Sequence, residues 1–178
     1  NKGLYLQSLK ILERAKDLAK HYHQESFLIQ VISLEKKIET LHITRSGEGA
    51  ADKLTEEAND VNRQRNEITT LSNLALQLYQ WYVKHGHARN IKDEKGVREF
   101  FKQNLQIDTT NLTGFYQMLY LYQSYCWYAF IRQDFLMYYR YSKKWVDIFN
   151  QETLMITVVT GHYIKGLHKL FTANFDLR

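Results

Sequence analysis

The sequence predicts an all-α protein built of antiparallel helical hairpins. Two observations carry that prediction. The 178 residues contain no proline, and apolar residues recur at spacings of three and four along most of the chain. Average usage of about 5% would place roughly nine prolines in a chain of this length. Their absence counts against Pro-rich linkers, collagen-like chains and loop-rich β-sandwiches, and favours uninterrupted helix. With 44% apolar and 24% charged residues, the chain can bury a core and is not a disordered tail.

The elements follow in order. Tyr5, Leu9, Leu12, Ala15, Leu18, Ala19 and Tyr22 place one stripe along residues 3–22. Phe27, Val31, Leu34, Ile38 and Leu41 repeat at four, three, four and three over 26–43. His21–Ser26 is a short polar joint with Ser26 as the N-cap, so these two helices pack antiparallel. Arg45–Ala50, with Gly47 and Gly49, reads as a loop. Residues 53–85 keep the helical pattern without a glycine. The cluster Thr69, Thr70, Ser72 and Asn73 predicts a break, with Ser72 capping a new helix through Leu74, Leu78, Tyr79 and Tyr82. Gly86 closes that helix as its C′ residue. Residues 87–95 form a polar loop, and Val97, Phe100, Phe101 and Leu105 a shorter helix. Asp108–Asn111 is the next joint. Helices then run over 111–132, 134–149 and 152–172. Between Phe115 and Phe149 lie 14 of the chain's 25 aromatic residues, the mark of an inner, mostly buried layer.

Charge and cysteine narrow the chemistry. The net charge of +5 is spread among 24 basic and 19 acidic residues. The most basic stretch, Lys84–Lys102, is interrupted by Asp93, Glu94 and Glu99, so nucleic-acid binding is disfavoured. Cys126 stands alone among Tyr125, Trp127 and Tyr128. It forms no internal disulfide and no Cys-based zinc site, and behaves as a small hydrophobe. His21/His23 and His85/His87 are His-x-His pairs at helix ends. On a helix their rings point about 200° apart, so neither pair chelates a metal. His162 and His168 are too far around the last helix to share a ligand set. No Gly-rich phosphate loop, nucleophile elbow or His-Glu-x-x-His is present. No cofactor, no metal and no catalysis are expected. The sequence holds no signal peptide and no apolar run of about 18 residues, so no membrane partner and a cytoplasmic setting are expected.

An internal repeat is the strongest organising signal. Residues 3–15 and 133–145 both open on a small or polar turn with an aromatic two residues on. An amphipathic helix follows, with basic residues near its tenth to twelfth position. Residues 173–178 look like a third opening, with Phe135 and Phe175 separated by 40 positions. This pattern resembles the tetratricopeptide repeat, in which a Gly-Asp-Tyr type of turn joins helix A to helix B. Ser8 and Ala15 fall on small positions of the first helix B, and Cys126 and Gly166 on the small position of helix A before the next turns. Leu78, Tyr82 and Gly86 give a further match to a helix A and its turn. Tyr138 and Trp145 stand where alanine is usual, the repeat-ending proline is missing, and the repeat length near 40 exceeds the family's 34.

The resemblance implies one domain over 1–178, an α-α superhelix of stacked hairpins with approximate units 1–22, 26–66, 71–105, 111–149 and 152–178. Read this way, the chain opens at a helix B and stops as another begins. Each repeat needs neighbours to cover its apolar face, so either the terminal helices pair with a second copy, as a homodimer, or the chain is an excerpt of a longer array. It further implies a non-catalytic scaffold that binds a protein or peptide on its concave helix face. That face would draw on Asn73, Gln77, Gln80, Tyr116, Gln117, Tyr120, Gln123 and Tyr163. Tyrosines and amides give contact area and hydrogen bonds at low entropic cost. A regulatory array that senses a ligand or peptide, an RNA-binding helical repeat and an enzyme are the alternatives. The basic clamp with which some members hold acidic C-terminal tails is not recognisable.

Overall fold

The structure, a computed structural model, describes residues 2–42, 47 and 49–177, with side chains from residue 4 onward. Among these residues the chain forms eight helices and no strand, as a proline-free sequence of helical period demands. They are α1 (Lys2–His21), α2 (Glu25–Leu41), α3 (Ala50–His85), α4 (Ile91–Asn104), α5 (Phe115–Ile131), α6 (Phe135–Gln151), α7 (Leu154–Val158) and α8 (Thr160–Asp176). Of the expected loop at 45–50, Arg45, Ser46 and Glu48 lie outside the described residues; Gly49 has φ 78° and Ala50 opens α3.

Several boundaries differ from expectation for identifiable reasons. No break interrupts 53–85: α3 is one helix of 36 residues. Ser72 does not cap a new helix but bonds back within α3, its hydroxyl donating to the Thr69 carbonyl at 2.9 Å. Gly86 does end the helix, at φ 71° with its N–H on the Tyr82 carbonyl. Ser26 lies inside α2, whose N-cap is Gln24. Helix α4 starts earlier than the hydrophobic pattern shows, because Asn90 Oδ1 accepts from the Asp93 N–H at 2.9 Å and Asp93 and Glu94 fill the first turn. The helix expected over 152–172 is split at Val159 (φ −132°, ψ 49°), inside the β-branched run Thr157–Thr160, where Thr160 Oγ1 donates to the Ile156 carbonyl at 2.7 Å. Finally, α8 runs through Asp176, so 173–176 continue a helix and open no turn.

The chain divides into two compact units, Asn1–Asn66 and Glu67–Arg178, with α3 contributing to both. In the first, Ala19 of α1 and Leu28 and Ile32 of α2 bury against Leu54, Ala58 and Val61 of α3. Lys16 Nζ lies 2.7 Å from Glu35 and 2.9 Å from Glu57, tying the same three helices together on the polar side. In the second, α5 and α6 form a hairpin on which α8 packs. Phe115, Leu119, Tyr138, Phe149 and Met155 are among its fully enclosed side chains. The aromatic layer is therefore largely core, with Tyr125 and Tyr141 stacked at 4.2 Å and 9°.

The same turn closes the hairpin of each unit. His23 (φ 51°) and Gln133 (φ 55°) both sit in the left-handed region. His23 N donates to the Lys20 carbonyl and Gln24 N to the Ala19 carbonyl. Gln133 N donates to the Phe130 carbonyl and Asp134 N to the Ala129 carbonyl in the same pattern, the six-to-one and five-to-two bonds of a Schellman motif. Ala19 and Ala129 before the turn, and Leu28 and Tyr138 after it, are all buried. Matching turns pair α1 with α5 and α2 with α6. The self-similarity of 3–15 with 133–145 instead aligned α1 with α6, because amphipathic helices of one period match at more than one offset.

Candidate functional site

In the second unit, α3, α5 and α8 enclose a groove of about 710 Å³, with Trp145 of α6 also on its wall. Helical spacing places its residues. Ser72, Leu76 and Tyr79 form one row on α3, and Tyr120, Gln123 and Trp127 one row on α5. Helix α8 supplies Ile164, Lys165, His168 and Lys169. Apolar side chains stand open on both α3 and α8, with Leu76 65% exposed and Ile164 59% exposed. No aspartate or glutamate lines the groove.

The polar groups have distinct environments. Lys169 Nζ sits 4.1 Å from the centroid of the Trp127 ring and 5.3 Å from that of Phe130, a cation held over aromatic faces. Burial pushes its pKa down, and among the described residues no carboxylate lies within ion-pair distance of it. Trp145 is 4% exposed and its Nε1–H is buried with no hydrogen-bond partner, a state that costs free energy unless an acceptor arrives. Gln123 Nε2 donates to His162 Nδ1 at 2.9 Å. That bond requires the neutral imidazole, and burial, with Lys165 nearby, lowers the His162 pKa to match.

The residues expected to form a partner face separate in the structure. Tyr120 and Gln123 line the groove. Asn73, Gln77 and Gln80 are exposed on α3, one position beyond Ser72, Leu76 and Tyr79, hence rotated by about 100° around the helix. Tyr116 is half-buried, its ring 6.5 Å from that of Tyr120. Gln117 is buried: its Oε1 accepts from the Gly114 N–H at 2.7 Å, and its Nε2 donates to Glu67. It supports the start of α5 and offers nothing to a partner. Tyr163 packs its ring 5.2 Å from that of Phe149. The apolar α3 row, Trp127, Trp145 and the cationic α8 wall were missed. A signal for α8 existed in the spacing of Lys165, His168 and Lys169, which puts all three on one face.

Elsewhere the chemistry is quiet. Cys126 is buried 3.6 Å from the Ser142 hydroxyl, and burial pushes its thiol up to about 12, so it is no nucleophile at neutral pH. Among the described residues no three His, Cys, Asp or Glu side chains are grouped to hold a metal ion. No helix of the described residues is long and apolar enough to cross a membrane. No protein-family model, curated protein or solved structure matches the chain.

Proposed function

We propose that this chain is a non-catalytic protein-interaction module of tetratricopeptide-like helical hairpins, and that a peptide segment of its partner seats in the groove between α3, α5 and α8. One observation carries the reading: Leu76 and Ile164, from facing helices, stay well exposed on either side of an aromatic floor instead of closing on each other. Apolar area held open between rigid helices is what a binding groove needs. The shared Schellman turn of the two hairpins supports the repeat part of the proposal.

The test is selection of phage-displayed peptides on the wild-type chain and on a Leu76→Asp/Ile164→Asp variant. Both substitutions fall on exposed positions, so helical circular dichroism should not change. Peptides retained by the wild type and lost by the variant support the groove. Equal retention by both, or no selected peptide, rejects it.

A further inference from the structure

We infer that the segment accepted by this groove is acidic as well as apolar, with a side-chain carboxylate seated against the α8 wall of Lys165, His168 and Lys169. The inference rests on the peptide-binding reading above and adds the chemistry of the partner.

Charge complementarity carries it. The groove wall carries two lysines, Lys165 and Lys169, and the His168 imidazole, and no carboxylate. On a protein with 19 acidic residues among 178, most partly buried cations find an internal acid. Lys16 has two, Glu35 and Glu57, and Arg132 has Glu94 at 2.8 Å and Asp134 at 3.8 Å. Lys169 has none, and rests on aromatic rings instead. Its ammonium carries three donors and the rings use them only weakly. An ammonium that rests on rings, on a wall with no carboxylate, defines a site for an anionic oxygen. The opposite wall, Leu76 and Tyr79 on α3, is apolar, which selects an acid carried on an apolar segment over a phosphate-rich polymer. Lys165 and Lys169 are one helical turn apart, about 6 Å along the axis, so a segment with two acids at that separation can meet both.

The selected peptides supply the experiment. Binding is read by fluorescence anisotropy for the wild type, Lys169→Met and Lys169→Arg, and for each peptide with its Glu or Asp changed to Gln or Asn. Methionine keeps a flexible, ring-compatible side chain without the charge. The expected result is enrichment of acidic residues among apolar ones and roughly tenfold weaker binding on removing either charge, with binding kept by Lys169→Arg. Should Lys169→Met misfold, the amide-substituted peptides on the wild type decide alone. Peptides that bind the groove without acidic enrichment, or that tolerate the amide change, overturn this inference and leave the groove standing. Failure to select any peptide overturns both.

Discussion

The edge of the Trp145 indole lies against α8 at Gly166, so close that a β-carbon on Gly166 would fall 3.0 Å from both Cδ1 and Nε1. The largest side chain of α6 is matched to the smallest residue of α8. That pairing brings α8 down onto the hairpin and fixes one wall of the groove, because Ile164, Lys165, His168 and Lys169 flank Gly166 on the same helix.

Gly166→Ala therefore destabilises the second unit. In a helix, alanine is ordinarily favoured over glycine by nearly 1 kcal/mol, but here the added methyl meets a tryptophan that is 4% exposed and cannot swing away. Overpacking of this kind costs typically 1–3 kcal/mol, so a net loss of about 1 kcal/mol is expected. Urea denaturation followed by tryptophan fluorescence measures it. A gain in stability would mean that the indole has room to move.

Lys16 is the electrostatic centre of the first unit. It is held by Glu35 at 2.7 Å and Glu57 at 2.9 Å, with its side chain 13% exposed, and Glu57 also pairs with Lys20 at 2.7 Å. Lys16→Met leaves two partly buried carboxylates facing each other. The expected loss is about 2 kcal/mol, between the values for exposed and fully buried pairs. Glu57 gives the same network an acid limit. Burial alone would raise its pKa, but the hydrogen bonds from Lys16 and Lys20 prevail and hold it below the ordinary 4.5. A depressed carboxylate contributes stability above its unfolded pKa that is lost as pH falls through the folded one. Thermal melts of the wild type should thus steepen in pH dependence below about 4.5, and those of Glu57→Gln should steepen less.

The turns offer a test in the opposite direction. Gln133 occupies φ 55° although it carries a β-carbon, and its side chain is exposed. Left-handed backbone costs a non-glycine residue about 1 kcal/mol. Gln133→Gly should raise stability by up to about 1 kcal/mol, offset in part by added freedom of the unfolded chain. Differential scanning calorimetry against the wild type reads the shift; a lower melting temperature would show that the side chain contributes more than the backbone conformation costs.

These features explain what the sequence could and could not convey. Helix existence is a matter of period, and among the described residues each predicted apolar stripe lies in helix over most of its length. Gly86 was legible as a terminator because the αL position after a helix favours glycine. The joints at His21–Ser26 and at Gln133 were legible as well, but their left-handed turn was not: ordinary residues hold that conformation there, so no glycine marks it. Ser72 misled because a hydroxyl that can cap a helix can equally bond back inside one. The groove was half visible. Tyr120 and Gln123 were reached through the concave helix face that the resemblance implies, but the α3 wall lies one residue away from Asn73, Gln77 and Gln80, a rotation of about 100° that the resemblance did not resolve. Trp145 and Lys169 come from helices brought together only by tertiary packing.

His162 ties the groove to pH. Its Nδ1 accepts from Gln123, its ring meets that of Tyr120 edge-on at 5.9 Å, and Lys165 follows one turn later. Burial first, and the Lys165 charge second, lower its pKa below the ordinary 6.5. A base with a depressed folded pKa stabilises the fold while both states are neutral. As pH drops below about 6.5 the unfolded chain takes up the proton more readily, and stability falls until the folded pKa is passed. Protonation also removes the acceptor that Gln123 uses, freeing that amide on the groove wall. His162→Gln retains a side chain able to accept from Gln123 and carries no titration. The expected outcome is a stability profile that declines between neutral pH and 5 in the wild type and is flatter in the variant, read by chemical denaturation. An imidazole whose NMR titration midpoint lies at or above 6.5 would contradict the buried, neutral ring.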